Sequence, residues 1–300
     1  MRNVRAEADL RREVSLWNRG ERVGLVPTMG ALHAGHLSLV GVARERADRV
    51  VVSVFVNPAQ FGPGEDFARY PRSPERDAGL LAGAGCDLLF LPAVETIYPP
   101  GHATAVVPGG PADGLEGASR PGHFTGVATV VCALFNLVRP DLAVFGEKDA
   151  QQVAVVRRMV EDLHLGVEIV PAPTIREADG LALSSRNAYL SPAERRAAPV
   201  LHRALEAARQ AVAAGERRAG EVRAIVRRVV DSEPLARLDY AEVVDARTFQ
   251  PVEALAGRVV LPLAVRIGGT RLIDNVQLAV GDDVSSPPGA SRGMAAGALR

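Results

Sequence analysis

RVGLVP (residues 22–27) is a short apolar run that enters the turn TMG (28–30); ALHAGH (31–36) then leads into a helical stretch from about His36 to Ala47. A strand that passes through a tight turn into a helix is the opening unit of a parallel sheet. The next run, VVVSVFV (50–56), is β-branched without polar interruption, as expected of a strand covered on both faces. The same alternation continues outward. Helical spacing over 74–84 precedes the strand DLLFL (87–91), a second helix spans 122–138 before DLAVF (141–145), and a third spans 150–163 before VEIV (167–170). Repeated units of this length predict an α/β fold with a doubly wound parallel sheet and right-handed crossovers.

The pattern changes near residue 187. Ser191-Pro192-Ala193-Glu194 is a helix-start signal, with serine as cap, proline at the first helical position and glutamate two further on. Two Ala/Arg-rich helices follow, at about 192–214 and 217–231, and then strand-like runs at 238–244, 258–266 and 271–280. Helices followed by consecutive strands predict a second, smaller α+β domain. The expected division is therefore 1–186, 187–280, and a tail over 281–300 whose Gly, Ser, Pro and Ala content predicts disorder.

Charge and composition narrow the partners. The 300 residues carry 35 basic and 35 acidic side chains, with aromatics at 4%. This gives neither the basic field nor the stacking set of a nucleic-acid binder. No apolar run is long enough for a membrane span, and the N-terminal residues lack a signal-peptide core, so a cytoplasmic protein is expected. Cys86 and Cys132 form no CxxC pair and read as small hydrophobes in a reducing compartment. Lys148 is the sole lysine among the 35 basic residues. It stands in FGEKD (145–149), at the end of a strand, where α/β proteins place ligand chemistry. Exchange of lysine for arginine is tolerated on a surface but not where a compact ammonium is needed.

The turn after the first strand is the first candidate site. A helix N-terminus offers free N–H groups and the positive end of its dipole to phosphate. His33 and His36, three apart, can face one ligand and donate to it when protonated, while Gly35 leaves room for a nucleotide against the backbone. Two surface histidines beside a glycine turn is the plain alternative. A second donor-rich stretch, GLALSSRN (180–187), brings the hydroxyls of Ser184 and Ser185 and the fork of Arg186.

HxGH (33–36) resembles the signature of the nucleotidylyltransferase superfamily. PTMGALHAGH (27–36), VSVFVNPAQF (52–61), YPRSPERD (70–77), LEGASRPGHFTGV (115–127), FGEKDAQQ (145–152) and DGLALSSRN (179–187) together resemble the pantothenate synthetase family in order and spacing, over about residues 10–280. The resemblance implies a Rossmann-like fold and a two-step ligase reaction: pantoate and ATP give pantoyl adenylate and pyrophosphate, and β-alanine then gives pantothenate and AMP. It implies His33, His36, Lys148, Ser184, Ser185 and Arg186 as catalytic residues, with His36 as general acid. Pro27, Thr28, Met29, Gly30, Gly35, Gly146, Glu147, Asp149, Ile175 and Leu183 would hold ATP. Gln60 and Gln152 would bind the pantoate hydroxyls and carboxylate, with Met29 and Phe61 as apolar wall. Magnesium would accompany ATP without a named protein ligand, Asp77 and Asp149 at most ordering its waters; a homodimer is also implied, and 187–280 is expected to act as a lid over the ATP site. His123 and Phe124 read as capping or core contacts, Tyr70 and Arg72 as pocket mouth or loop packing, and His102, His164 and His202 as surface. Ala150 and Arg76 depart from the family pattern, Ala150 where an aromatic is usual and Arg76 where an acid is. The rival readings are an adenylyltransferase acting on a phosphate ester and an ATP-binding module without catalysis.

Overall fold

The computed structural model describes residues 1–17 and 20–281. The tail expected to be disordered lies, from residue 282, outside the described residues. The first part of the chain runs β1 (Arg2–Val4), α1 (Glu7–Ser15), β2 (Val23–Thr28), α2 (Ala34–Arg46), β3 (Arg49–Val54), α3 (Pro74–Gly83), β4 (Leu88–Phe90), α4 (Val94–Ile97), α5 (Leu115–Ser119), α6 (His123–Val138), β5 (Leu142–Gly146), α7 (Ala150–Asp162) and β6 (Glu168–Ala172). Its six strands pair in parallel in the order β1-β4-β3-β2-β5-β6.

The four inner strands, β2 to β5, bury both faces, which is why their runs read as continuous apolar stretches, whereas the edge strands β1 and β6 keep exposed residues. Leu25, Val51, Phe90, Ala143 and Phe145 enter one core with Val127, Val131 and Leu134 of α6 and Val155 and Met159 of α7. Their alternates Val26, Val50, Val52, Leu142 and Val144 enter another with Leu39, Val40 and Ala43 of α2 and Leu81 of α3. The edge strand β1 has only three residues, too few for a periodic signal, and is absent from the sequence reading. Both cysteines are free; Cys86 is buried, which pushes its thiol up to about 11, and Cys132 is half-buried on α6.

The second part comprises α8 (Pro192–Ala197), α9 (Val200–Ala213), α10 (Ala219–Asp231), β7 (Ala236–Ala241), β8 (Val244–Asp245), β9 (Gly257–Ile267) and β10 (Thr270–Val280). These strands form an antiparallel sheet, β10-β9-β7, with β8 also on β9. Leu201, Leu205, Ala208 and Val212 of α9 and Val222, Val226 and Val230 of α10 pack on its apolar face, each set at helical spacing. The single helix expected over 192–214 is two: Ala198 and Pro199 keep helical backbone, but Pro199 has no N–H for the carbonyl four residues before it, which interrupts the ladder there. The start signal is confirmed as a capping box: Ser191 N donates to Glu194 Oε2 at 2.8 Å, and Glu194 N to Ser191 Oγ at 3.4 Å. No helix among the described residues is long and apolar enough to cross a membrane.

A buried polar cluster joins the two sheets. Arg271 of β10 donates through Nη1 to Glu116 Oε2 of α5 at 2.9 Å, and its Nη2 lies 2.7 Å from Oε1. Tyr240 Oη donates to Glu116 Oε1 at 2.8 Å, and Glu116 N donates to Gln151 Oε1 of α7 at 3.0 Å. Arg271 also pairs with Asp239 at 2.7 Å, so loss of Glu116 leaves the guanidinium half-compensated rather than stranded. Glu116→Ala is therefore expected to lower unfolding free energy by about 2–3 kcal/mol, measured by urea denaturation. A loss below about 0.5 kcal/mol would class the cluster with surface ion pairs.

Candidate active site

Strands β2 and β5 lie side by side, yet the chain leaves β2 for β3 on one side and β5 for β6 on the other. A crevice opens beyond the carboxyl ends of such a pair. A cavity of about 230 Å³ lies there. It is lined by Pro27, Thr28, Met29, His33, Gly35 and His36 from the β2–α2 junction, and by Gly146, Lys148, Asp149 and Gln152 from the β5–α7 junction. Gln60, Ile175, Leu183, Ser184, Ser185 and Arg186 complete the expected set. A second cavity of about 870 Å³ shares Lys148, Asp149, Gln152, Ser184 and Arg186, and Tyr240, Arg271, Asp274 and Asn275 of the small sheet also line it.

Three expected residues lie elsewhere. Phe61 packs edge-on against Phe67 and Tyr70, with ring centroids 5.4 and 5.9 Å away, and so stiffens the 58–70 segment instead of lining the cavity. Glu147 lines a cavity on the other side of its turn. Gly30 adopts φ +83°, and a Cβ there would sit 3.0 Å from Asp77 Oδ2 and from Val54 Cγ1. Asp77 is 1% exposed and accepts from Ala31 N at 2.9 Å and Leu32 N at 2.8 Å. It fastens the turn, and its engagement there removes it from magnesium. Arg76 donates to Leu32 O at 3.0 Å and secures the same turn from the other side.

The histidines stand as a stacked pair, ring centroids 4.1 Å apart. His33 N donates to His36 Nδ1 at 3.4 Å, which leaves Nε2 of the neutral His36 ring as its proton-bearing nitrogen. His33 Nδ1 is buried without a partner among the described residues. A Cβ on Gly35 would meet the His33 ring at 2.9 Å, so this glycine admits the neighbouring imidazole as well as leaving space for a nucleotide. The sequence shows that both rings can donate when protonated; their surroundings bear on how readily they take a proton. Burial, then His33, push His36 down to about 3; Asp149 opposes this and outweighs the further lowering by Lys148. Burial, Lys148 and Arg76 lower His33 in turn. Each ring is neutral near pH 7 and offers one N–H.

Gln60 sits on a 3-10 turn (Pro58–Gln60) whose backbone is pinned from α6. Gly126 of α6 approaches so closely that a Cβ would lie 2.2 Å from Ala59 O, and Asn57 Nδ2 donates both to Gly126 O at 3.1 Å and to Gln60 Oε1 at 3.0 Å. His123 Nδ1 lies 2.8 Å from Gln60 O, the contact role expected of it. Arg120 also donates to Gln60 O, at 3.3 Å, and is held by Glu65 at 2.7 and 2.8 Å. Asn57, Arg120 and the apolar Val127, Val130, Val131 and Leu134 line the cavity without having been assigned a role from sequence. The helical period of α6 marked those apolar residues as core; nothing in the period distinguishes core from pocket wall.

Lys148 occupies a one-turn 3-10 segment (Glu147–Asp149), its side chain 19% exposed and Nζ 3.4 Å from Asp149 Oδ1. Arg186 binds Asp66 by two hydrogen bonds, at 2.9 and 3.1 Å, so its fork is already oriented. Ser184 Oγ accepts from Arg186 N at 3.3 Å. Tyr70, 7% exposed, lines the cavity, while Arg72 donates to Tyr70 O and Phe67 O and packs its loop. His102 and His164 are exposed as expected, but His202 is half-buried over Gly180, where a Cβ would fall 2.0 Å from its ring.

His36 gives a prediction about stability. In the unfolded chain it takes a proton near 6.5, but in the folded protein only near 3, so between these values the unfolded state binds more protons. Its contribution is fully present above 6.5 and is lost as pH falls towards 3. Between about pH 7 and about pH 5 the wild type should lose about 2 kcal/mol more unfolding free energy than His36→Gln. Urea denaturation at both pH values measures this, and equal losses would contradict it.

Comparison with known proteins gives the family and agrees with the fold. Residues 2–277 match the family model described as pantoate-beta-alanine ligase. A pantothenate synthetase of Heliobacterium modesticaldum is 57% identical over 90% of this chain and 98% of its own length. One from Moorella thermoacetica is 58% identical over 88% and 93%. The crystal structure of pantothenate synthetase from Thermus thermophilus superposes with TM-score 0.88 at 52% identity, covering 92% of this chain and 99% of that one. That of the Francisella tularensis pantoate-beta-alanine ligase, complexed with beta-gamma ATP and β-alanine, gives TM-score 0.76 at 34% identity over 92% and 97%. With its parallel sheet, its HxGH helix start and its lone lysine at the switch point, this chain belongs to the pantoate-beta-alanine ligase family.

Proposed function

We propose that the cavity between β2 and β5 condenses pantoate with β-alanine at the expense of ATP, through a pantoyl adenylate. The observation that carries this is the convergence of His33, His36, Gln60, Lys148, Gln152, Ser184 and Arg186 on one small cavity of a chain in this family. In the first step a pantoate carboxylate oxygen attacks the α-phosphorus of ATP, and the bond to pyrophosphate breaks. In the second the β-alanine nitrogen attacks the acyl carbon, the bond to the AMP oxygen breaks, and the nitrogen gives up a proton. Adenylation is needed because a free carboxylate is a poor electrophile.

The roles follow from the chemistry of each group. The N–H groups of neutral His33 and His36, beside the N-terminus of α2, suit the oxygens of a triphosphate. An incoming triphosphate raises the proton affinity of both rings, which suits His36 to hand a proton to departing pyrophosphate. Lys148 supplies a point charge between the reacting phosphate and the pantoate carboxylate. Ser184, Ser185 and Arg186 hold the phosphates. Gln60 and Gln152 can donate and accept at once, as a hydroxy acid requires. Val127, Val130, Val131 and Leu134 offer apolar surface to its gem-dimethyl group, the part first assigned to Phe61.

A phosphate ester in place of pantoate would need a further free cation near Gln60. Arg120 is nearest to that description, and Glu65 already compensates it. Among the described residues no group of three or more His, Cys, Asp or Glu side chains could hold a metal, so the donor set fits magnesium only as a companion of ATP, with phosphates and water as ligands. There it would screen the triphosphate charge, while Asp149 at the cavity wall could orient a bound water. The division at 186/187, closure of 187–280 over the site, a homodimer and a cytoplasmic location belong to the same proposal. Family membership supports all four, and the small-sheet lining of the second cavity supports the closure.

Purified protein with ATP, magnesium and pantoate should form AMP continuously only when β-alanine is present. Lys148→Ala should lower kcat by roughly 10²–10³ while the fold persists. Unchanged turnover in the variant would remove the lysine from the reaction; no turnover in the wild type would remove pantoate as substrate.

A further inference from the structure

The turn that presents Lys148 has its backbone held by a side chain from the other sheet. Asn275 of β10 is 7% exposed, and its Nδ2 donates to Glu147 O at 2.8 Å and to Lys148 O at 2.9 Å. An amide nitrogen carries two protons, so a single side chain satisfies both carbonyls. Asn275 is itself seated by Asp274, whose Oδ1 accepts the Asn275 backbone N–H at 2.8 Å. Asp274 is 3% exposed and is gripped by Arg176 at 2.6 and 2.9 Å, and Arg176 Nη1 also donates to Gly180 O at 3.0 Å. Two successive residues of β10 therefore hold the Lys148 turn and the base of the 180–187 loop, which arrive from separate parts of the chain. Their own places are fixed by pairing of Asp274 with Leu263 and Asn275 with Pro262 of β9.

We propose that Asn275, seated by Asp274, is a positioning residue for adenylation: it sets the backbone from which Lys148 reaches the reacting phosphate. The proposal rests on the reading of Lys148 given above. The side-chain bonds of Lys148 cannot set its position alone, since the partner named for Nζ is the 3.4 Å contact to the adjacent Asp149. Fixing the two carbonyls that flank the Lys148 Cα fixes the root of the side chain instead. Asn275→Asp keeps the shape but replaces two N–H donors with oxygens facing two carbonyl oxygens, which must turn away or be separated by water. It also brings a titratable group: as pH falls, a protonated carboxyl regains one donor.

The test measures pantoate-dependent pyrophosphate release by wild type, Asn275→Asp, Lys148→Ala and the double variant, together with ATP dissociation constants and thermal midpoints. Asn275→Asp should lower kcat roughly 10- to 100-fold, as expected for a displaced catalytic group, with ATP affinity changed less than about twofold. In the Lys148→Ala background the same substitution should cost less than about twofold more, because the group it positions is gone. The rate of Asn275→Asp relative to wild type should rise as pH is lowered. An equal factor in both backgrounds would make Asn275 a support of the fold alone, and an undiminished kcat would remove it from the reaction; either overturns the proposal. Wild-type turnover by Lys148→Ala would instead overturn the role of the lysine, and this inference with it. Should Asn275→Asp fail to fold, Asn275→Ala, which opens the two carbonyls to water, carries the same cycle and is judged by the same outcomes, apart from the pH arm.

Discussion

The pairing of β2 with β5 is the constraint on which the rest of this molecule depends. Gly24 pairs with Leu142 and Leu25 with Ala143, and beyond this short ladder Thr28 and Gly146, at the ends of the two strands, line one cavity. Helix α2 lies close over the pair because Gly24 has no side chain: a Cβ would come 3.1 Å from Ala47 Cβ and 3.3 Å from Leu142 Cδ1. The start of α2, where His33 and His36 stand, is thereby drawn over the crevice. On the other strand the chain turns through Lys148 into α7. Two helix starts and one ammonium then share one opening, an arrangement that follows from topology before any side chain is chosen.

The electrostatics of the opening suit an anion. Burial, then Lys148 and Arg76, lower the proton affinity of His33, and burial, then His33, lower that of His36, so the positive charge of the opening stands on Lys148, Arg76 and Arg186 rather than on the imidazoles. Arg186 is held by Asp66. In the proposed reaction an ATP phosphate would share or displace that carboxylate without the guanidinium having to be reoriented from solvent, which limits the ordering cost of binding.

The architecture was legible because it was written in period. Runs such as 50–56 and 141–145 could bury both faces only between helices, and six motif blocks in family order located nearly the whole cavity wall. Apart from Pro199, itself a local signal, what escaped had no local signature. Pro199 splits a helix in a stretch whose Ala/Arg pattern is otherwise uninterrupted. Phe61 is apolar and near the site, and only the positions of Phe67 and Tyr70 show that its ring is taken up elsewhere. The charge state of the histidines depends on burial, on each other and on Arg76, Lys148 and Asp149 from other parts of the chain. Asn275 could not be read at all, since its partners are main-chain carbonyls, which every residue has; a side chain that recognises backbone leaves no complementary residue to find.

The near-absence of lysine has a practical side. Lys148 carries the only side-chain amine in the sequence, and that amine stands partly shielded at the wall of the substrate cavity. Amine-directed reagents, which on most proteins scatter over the surface, would here have a single side chain to modify. A fluorophore, a crosslinker or an isotopically labelled methyl group could be set at the centre of the site without substituting any residue, so that occupancy of the cavity could be followed from inside it.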